Sequence, residues 1–253
     1  MKAFVLAAGH GTRLRPITES VPKVLVPVRG VPLLDRLLSA LARQGVREVA
    51  LNAHHLRDMV RRHVNALRHR RGLMPLTLFE ESELLGTGGG LAHGAAFWAD
   101  APLLVWNGDV VAEVDLPALW AEHGARGALA TLVVQERASS SRLLVDEVGW
   151  LCGIDSPRRD DYRVLRDPLG AMRALAFHGI SVLSPALQPY LRGTPPVDLI
   201  EPLLQAVADG HPVRAWDAGE GFWGTTGSTE ALARLERDLG ERPALLQAWT
   251  PPR

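Results

Sequence analysis

The chain has 253 residues, 47% of them hydrophobic, enough for one large core or two small ones, which excludes wholesale disorder. Lys plus Arg and Asp plus Glu balance at 28 each, so no global field selects nucleic acid, an anionic membrane or a cationic partner. The single cysteine, Cys152, lies among Trp150, Leu151 and Ile154; it excludes an intramolecular disulfide and a cysteine-rich metal site, and reads as a small buried hydrophobe.

Ala3 to Ala8 is a short apolar run that ends at Gly9, as a buried parallel strand feeding a loop does. It is too short for a signal sequence, and no other stretch spans a bilayer, so a cytoplasmic protein is expected. Leu34, Leu37, Leu38 and Leu41 recur at helical spacing between Leu33 and Gln44, and Gly45 stops them. Strands are predicted over 48–53 and 76–80, with a helix over 55–67 between them. A further helix is predicted over 92–98, after the glycine cluster, and an apolar strand over 103–106 ends on Asn107-Gly108-Asp109. This alternation implies a mostly parallel sheet with helices on both faces. After a helix over 116–123 the pattern turns to strands, at 128–135, 142–146, 150–154 and 176–183. The polar stretch from Ser156 to Asp167 reads as a mobile loop. A helix over 197–208, a strand over 213–217 and a helix over 229–239 precede a proline-containing tail. No internal repeat or linker is visible, so one domain over 1–240 is expected, with parts at about 1–115 and 116–240 and a tail at 241–253.

Gly9-His10-Gly11-Thr12 follows a strand, where small residues let backbone N–H groups approach an anion. A dinucleotide fingerprint would want glycine where Leu14 stands and an acidic residue among Asn52, Ala53 and His54; a Walker A loop would want Lys-Ser/Thr after its last glycine. Neither pattern is present, which weakens a dehydrogenase reading. Arg13, Arg15 and Lys23 instead converge along a segment stiffened by Pro16 and Pro22. Lys2 and Lys23 are the only lysines in the chain, so the retention of Lys23 asks for a reason.

The segment LAAGHGTRLRPITESVPKVLVPV resembles the signature of the sugar-1-phosphate nucleotidyltransferases. Glu83-Leu84-Leu85-Gly86-Thr87-Gly88-Gly89-Gly90-Leu91 is similar to that family's second glycine loop, Asn107-Gly108-Asp109 to its metal-binding strand end, and Phe177 to Val182 to the strand lining its sugar pocket. The short chain most resembles the compact single-domain branch, such as the N-acetylmuramate-1-phosphate uridylyltransferases and mannose-1-phosphate guanylyltransferase-like proteins. The resemblance implies a three-layer, Rossmann-like α/β fold with a mostly parallel mixed sheet, and attack of a sugar phosphate on the α-phosphorus of a nucleoside triphosphate, feeding cell-envelope polysaccharide precursors. It implies that Arg13 holds the departing pyrophosphate, Lys23 the reacting phosphates and Asp109 a Mg²⁺ ion. Nucleotide contacts are expected from Ala8, Gly9, Gly11, Thr12, Glu83, Gly88 and Asn107. Asn-Gly-Asp is equally good turn chemistry.

Two departures stand out. Where the family has Trp-x-Asp-x-Gly-Thr, this chain reads Trp223-Gly224-Thr225-Thr226-Gly227, so Thr225 takes the place of the second metal carboxylate. Loss of one preorganised electrostatic group costs about 3–4 kcal/mol of barrier stabilisation by analogy with oxyanion-hole deletions. Asp217 or Glu220 are the available substitutes, and the alternative is a binding relative acting as a sensor or regulatory subunit. The family's sugar-side lysine is also missing; Arg158 and Arg159 are nearby but read as solvated charges. Expected partners are a nucleoside triphosphate and a sugar 1-phosphate, with no nucleic acid or membrane, in a monomer or small homo-oligomer. The basic stretch Arg57, Arg61, Arg62, Arg68, Arg70 and Arg71 reads as a solvated helix face. His54 and His55, being adjacent, are expected to point apart with no third ligand.

Overall fold

The computed structural model describes residues 1–69 and 73–251; Arg70 and Arg71 of the basic stretch lie outside them. The first half runs β1 (Lys2–Leu6), α1 (Ile17–Ser20), a small hairpin of β2 (Pro27–Val28) and β3 (Val31–Pro32), α2 (Leu33–Arg43), β4 (Glu48–Ala53), α3 (Arg57–Arg68), β5 (Leu76–Glu80), α4 (Gly86–His93) and β6 (Leu103–Asn107). Here β6, β1, β4 and β5 lie side by side and parallel. Side chains alternate across β1: Ala3 and Val5 enter the core cluster that holds Leu34, Leu37 and Leu41 of α2, while Phe4 enters the opposite one with Leu91 and Trp98. The sheet is therefore covered on both faces.

The second half runs β7 (Val110–Ala112), α5 (Leu116–Arg126), β8 (Ala130–Gln135), β9 (Arg142–Asp146), β10 (Leu151–Ser156), β11 (Asp161–Val164), β12 (Met172–Leu183), α6 (Ile200–Ala208), β13 (Val213–Asp217), β14 (Trp223–Thr225), α7 (Thr229–Gly240) and α8 (Pro243–Ala248). The long strand β12 pairs antiparallel with β6, β8 and β9, and so welds this half onto the parallel block. β13 runs parallel to β8, and β7 with β14 forms a separate antiparallel ribbon. No helix of the described residues is long and apolar enough to cross a membrane.

Three expectations change. The glycine cluster is not a loop before a helix over 92–98; it is itself helical as α4, and Ala95–Trp98 forms only a short 3-10 turn. Glycine is used because the helix lies against the backbone of Val197: Gly86 has φ +81, and a Cβ there would collide with the Val197 carbonyl. The stretch from Ser156 to Asp167 is not a plain loop, because β11 pairs with β10 at the sheet edge and Arg163 bonds both Asp161 and Glu201. Arg158 and Arg159 lie in the exposed turn before it. The tail carries α8, whose end places Trp249 against Trp106 with ring centres 5.9 Å apart. Buried Arg36 ties this end down through Nε to the Val28 carbonyl at 2.8 Å and Nη1 to Thr250 Oγ1 at 3.2 Å. Cys152 is buried, in keeping with a small core residue.

Candidate active site

The carboxyl ends of β1 and β6 emerge together, with Leu6 and Asn107 in register. Open α/β sheets bind ligands at this edge. The Gly108 N–H donates to the Leu6 carbonyl at 2.9 Å, which locks the Asn107-Gly108-Asp109 corner beside the first glycine loop. The β7–β14 ribbon then carries Thr225 to the same point: the Thr226 N–H donates to the Asp109 carbonyl at 2.9 Å, and Thr225 Oγ1 donates to Asp109 Oδ2 at 3.3 Å. Lys23, in a 3-10 turn after Pro22, donates from Nζ to the same Oδ2. The two side chains are only 18% and 24% exposed, so solvent screens this pair weakly. Residues from distant parts of the chain, Lys23, Asp109 and Thr225, thus form one constellation.

Two cavities meet there. One, of about 280 Å³, is lined by Leu6 to Gly9 and by Leu84, Gly86 and Thr87; the other, of about 310 Å³, by Arg13, Phe177, His178 and Trp223. Asn107 and Asp109 line both. Gly179 makes the junction tight: it adopts φ +80 within β12, and a Cβ there would stand 2.6 Å from Asn107 Nδ2. Of the remaining expected nucleotide contacts, Ala8 and Gly9 line the first cavity. Gly11 and Thr12 stand at the start of the next turn, Gly88 is buried against Val197, and Glu83 is exposed beyond Leu84. Asp217 is engaged by Arg173 at 3.2 Å and Glu220 is exposed, so neither joins Asp109.

A buried polar brace supports the first cavity from behind. Asn52 Oδ1 accepts the Ala7 N–H at 2.7 Å, Asn52 Nδ2 donates to Glu81 Oε1 at 2.7 Å, and Glu81 Oε2 accepts the Leu85 N–H at 3.2 Å. One amide and one carboxylate therefore join both glycine segments. Glu81 precedes the second glycine segment and Asn52 ends a predicted strand, but only folding brings them together. His10 stands against both His54 and His55, with ring centres 5.4 and 5.3 Å away. Their ring nitrogens meet carbonyls instead of a shared centre: His54 Nδ1 lies 3.2 Å from the Glu81 oxygen and His55 Nε2 2.7 Å from the Thr18 oxygen. Burial, then His55, His54 and Arg15, lowers the His10 pKa.

In the second cavity, Gln135 spends both amide hydrogens on the Gly219 and Gly221 carbonyls, so its Oε1 must accept from His178 Nε2 at 3.2 Å. That fixes the His178 tautomer and leaves Nδ1 an unpartnered buried acceptor among the described residues. Burial, aided by the charge of Arg137, pushes the His178 pKa down to about 4, so the ring is neutral.

As for a metal, the described residues contain no group of three His, Cys, Asp or Glu able to enclose an ion. They do contain one half-buried carboxylate, Asp109, with a hydroxyl beside it. This donor set fits Mg²⁺, which binds through one or two carboxylates with phosphates and water completing the shell.

A family model described as nucleotidyl transferase matches residues 2–143. The chain is 31% identical over 247 residues to the N-acetylmuramate alpha-1-phosphate uridylyltransferase of Caulobacter vibrioides, covering 94% of this chain and 97% of that one. It is 36% identical over 141 residues to the mannose-1-phosphate guanylyltransferase catalytic subunit beta of Danio rerio, covering 54% of this chain but 39% of the relative. Among solved structures, the inositol-1-phosphate CTP transferase of T. maritima superposes with a TM-score of 0.74 at 22% identity, over 95% of this chain and 96% of that one. A UDP-glucose pyrophosphorylase complexed with UDP-glucose gives 0.74 at 19% identity, over 95% and 98%.

Proposed function

This chain belongs to the nucleotidyl transferase family, and from that premise we propose that it transfers a nucleoside monophosphate from a nucleoside triphosphate to a sugar 1-phosphate, releasing pyrophosphate. One observation carries the reading: two cavities of ligand size share an edge at Asn107 and Asp109, with Lys23 on that edge. A nucleotide in the first and a sugar phosphate in the second bring their phosphates together at that shared edge. In-line transfer between phosphates needs positioning and charge neutralisation above all.

Lys23 supplies a compact charge to the two reacting phosphates, and its pairing with Asp109 holds it there beforehand. Arg13, exposed at the mouth beside Thr225 and Gly227, holds the departing pyrophosphate, a task suited to a planar fork. The N–H groups of the Gly9–Thr12 segment face the triphosphate. Asp109 orients the Lys23 ammonium and, with the Thr225 hydroxyl, would hold Mg²⁺. When bound, Mg²⁺ supplies charge neutralisation on phosphate oxygens. The reaction belongs to nucleotide-sugar biosynthesis, upstream of cell-envelope polysaccharide, in the cytoplasm.

Thr225 favours a second reading, a nucleotide-binding relative with little turnover, since no carboxylate other than Asp109 is among the residues lining the two cavities. Pyrophosphate release over a panel of the four nucleoside triphosphates and common sugar 1-phosphates, with and without Mg²⁺, separates the two. The transfer reading expects Mg²⁺-dependent turnover, a loss of about 10²–10³-fold in Lys23→Ala, and a gain in Thr225→Asp. A silent wild type across the panel, with Thr225→Asp active, decides for the binding relative.

A further inference from the structure

Arg137 stands just past the end of β8, against the wall of the second cavity. Its guanidinium carbon lies 3.6 Å from the centre of the Trp223 ring, and Nη2 donates to the Phe177 carbonyl at 2.7 Å. Trp223 and Phe177 both line the cavity. Among the described residues no carboxylate pairs with Arg137: Nε is sealed from solvent without a partner, and Nη1 is neither hydrogen-bonded nor sealed. Burial alone lowers its pKa, with no acidic neighbour pulling the other way. The contrast with Arg36 is instructive, since that buried guanidinium spends its three nitrogens on backbone and hydroxyl oxygens around it. A half-buried cation with unused donors is costly unless something supplies the opposite charge.

The acceptor's phosphate does not fill this need, because it must reach Asp109 and Lys23. Phe177 lies two residues before Gly179 on β12, and Trp223 two before Thr225 on β14. Two strand residues span roughly 7 Å, about the breadth of a pyranose ring. With His178 neutral, Arg137 is the positive charge packed against Phe177 and Trp223 of that wall, while Arg13 is the cation among the lining residues themselves.

We propose that Arg137, seated on Trp223, binds a carboxylate on the sugar and makes this site specific for acidic sugar 1-phosphates. The Trp223 face fixes the plane of the guanidinium, and its free edge offers N–H groups that a planar carboxylate matches. The proposal rests on the second cavity being the sugar site.

N-acetylmuramate 1-phosphate and N-acetylglucosamine 1-phosphate differ only by a carboxylate-bearing lactyl ether, and therefore isolate the interaction. Binding of each is measured by calorimetry, independently of turnover, and kcat/KM by pyrophosphate release. The wild type is expected to prefer the acidic sugar roughly 100-fold, the scale of a lost partly buried charge pair. Arg137→Gln should bring the ratio close to one, and Arg137→Lys should retain part of it. Equal binding of both sugars by the wild type overturns the proposal, as does an equal loss for both in Arg137→Gln, which marks a wall-supporting role. Binding preference without any pyrophosphate release sustains the carboxylate site and counts against transfer.

Discussion

His178 shows how one buried side chain couples the second cavity to pH. Its Nε2–H is committed to Gln135, so acidification must place the second proton on Nδ1, buried beside the Arg137 charge. The folded pKa of about 4 lies below the ordinary value of 6.5, so between these pH values the unfolded chain binds the extra proton and the folded one does not. The contribution is therefore fully present above about pH 6.5 and is lost as pH falls toward 4, on the order of 3 kcal/mol in all. Burial lowers His123 in the same direction. Urea titrations at pH 7.5 and pH 5 are expected to show lower stability at pH 5, and His178→Gln a smaller difference; an equal difference in the variant removes His178 as a cause. Of the residues at this scale, Lys23, Asp109 and Thr225 are legible in the sequence because each sits in a spaced local pattern. Arg137, His178, Asn52 and Glu81 are not, because their meaning comes from partners 29 to 86 residues away.

The element with the most exacting local requirement is α4. Three of its first four residues are glycine, an entropic cost that propensity opposes at roughly 1 kcal/mol per residue relative to alanine. Close approach to Val197 explains why this cost is accepted, since Gly88 and Gly89 both direct N–H groups at the Val197 carbonyl, 2.9 and 3.3 Å away. Gly86→Ala is expected to cost more than 2 kcal/mol, combining a positive-φ penalty with the collision at Val197, and to weaken nucleotide binding. Chemical denaturation and calorimetry check both effects; an alanine variant of native stability would show that the contact yields. Glycines in a row read as a loop because the packing partner lies over a hundred residues downstream. The edge strand β11 escapes sequence inspection for a related reason, its four residues gaining meaning only beside β10 and Glu201.

Across the molecule, strand–helix alternation made the parallel half legible, and nearly every strand there begins and ends where its apolar run does. The second half was legible as a series of strands but not as part of the same sheet, because the pairing of β12 with β6 is a matter of tertiary register. The tail was the least legible: few residues, rich in proline, with Leu245 and Trp249 as the hydrophobes it buries. The Trp249 ring fills space beside Trp106 on the inner strand β6, so the C-terminal helix supports the strand that presents Asp109. Trp249→Ala is expected to destabilise the protein by about 3–5 kcal/mol, measured by urea unfolding, with a smaller effect on substrate affinity. Unchanged stability would show the terminal helix to be an ornament.

The joint between β6 and β12 has a consequence for descent. On the proposed reading, what grips the base and triphosphate lies mostly before that joint, and what encloses the sugar mostly after it, with Asn107 and Asp109 lining both cavities. Lineages can therefore revise the second half for a new acceptor while inheriting the donor machinery intact. The same boundary is where a recombinant protein with an exchanged sugar preference would be spliced.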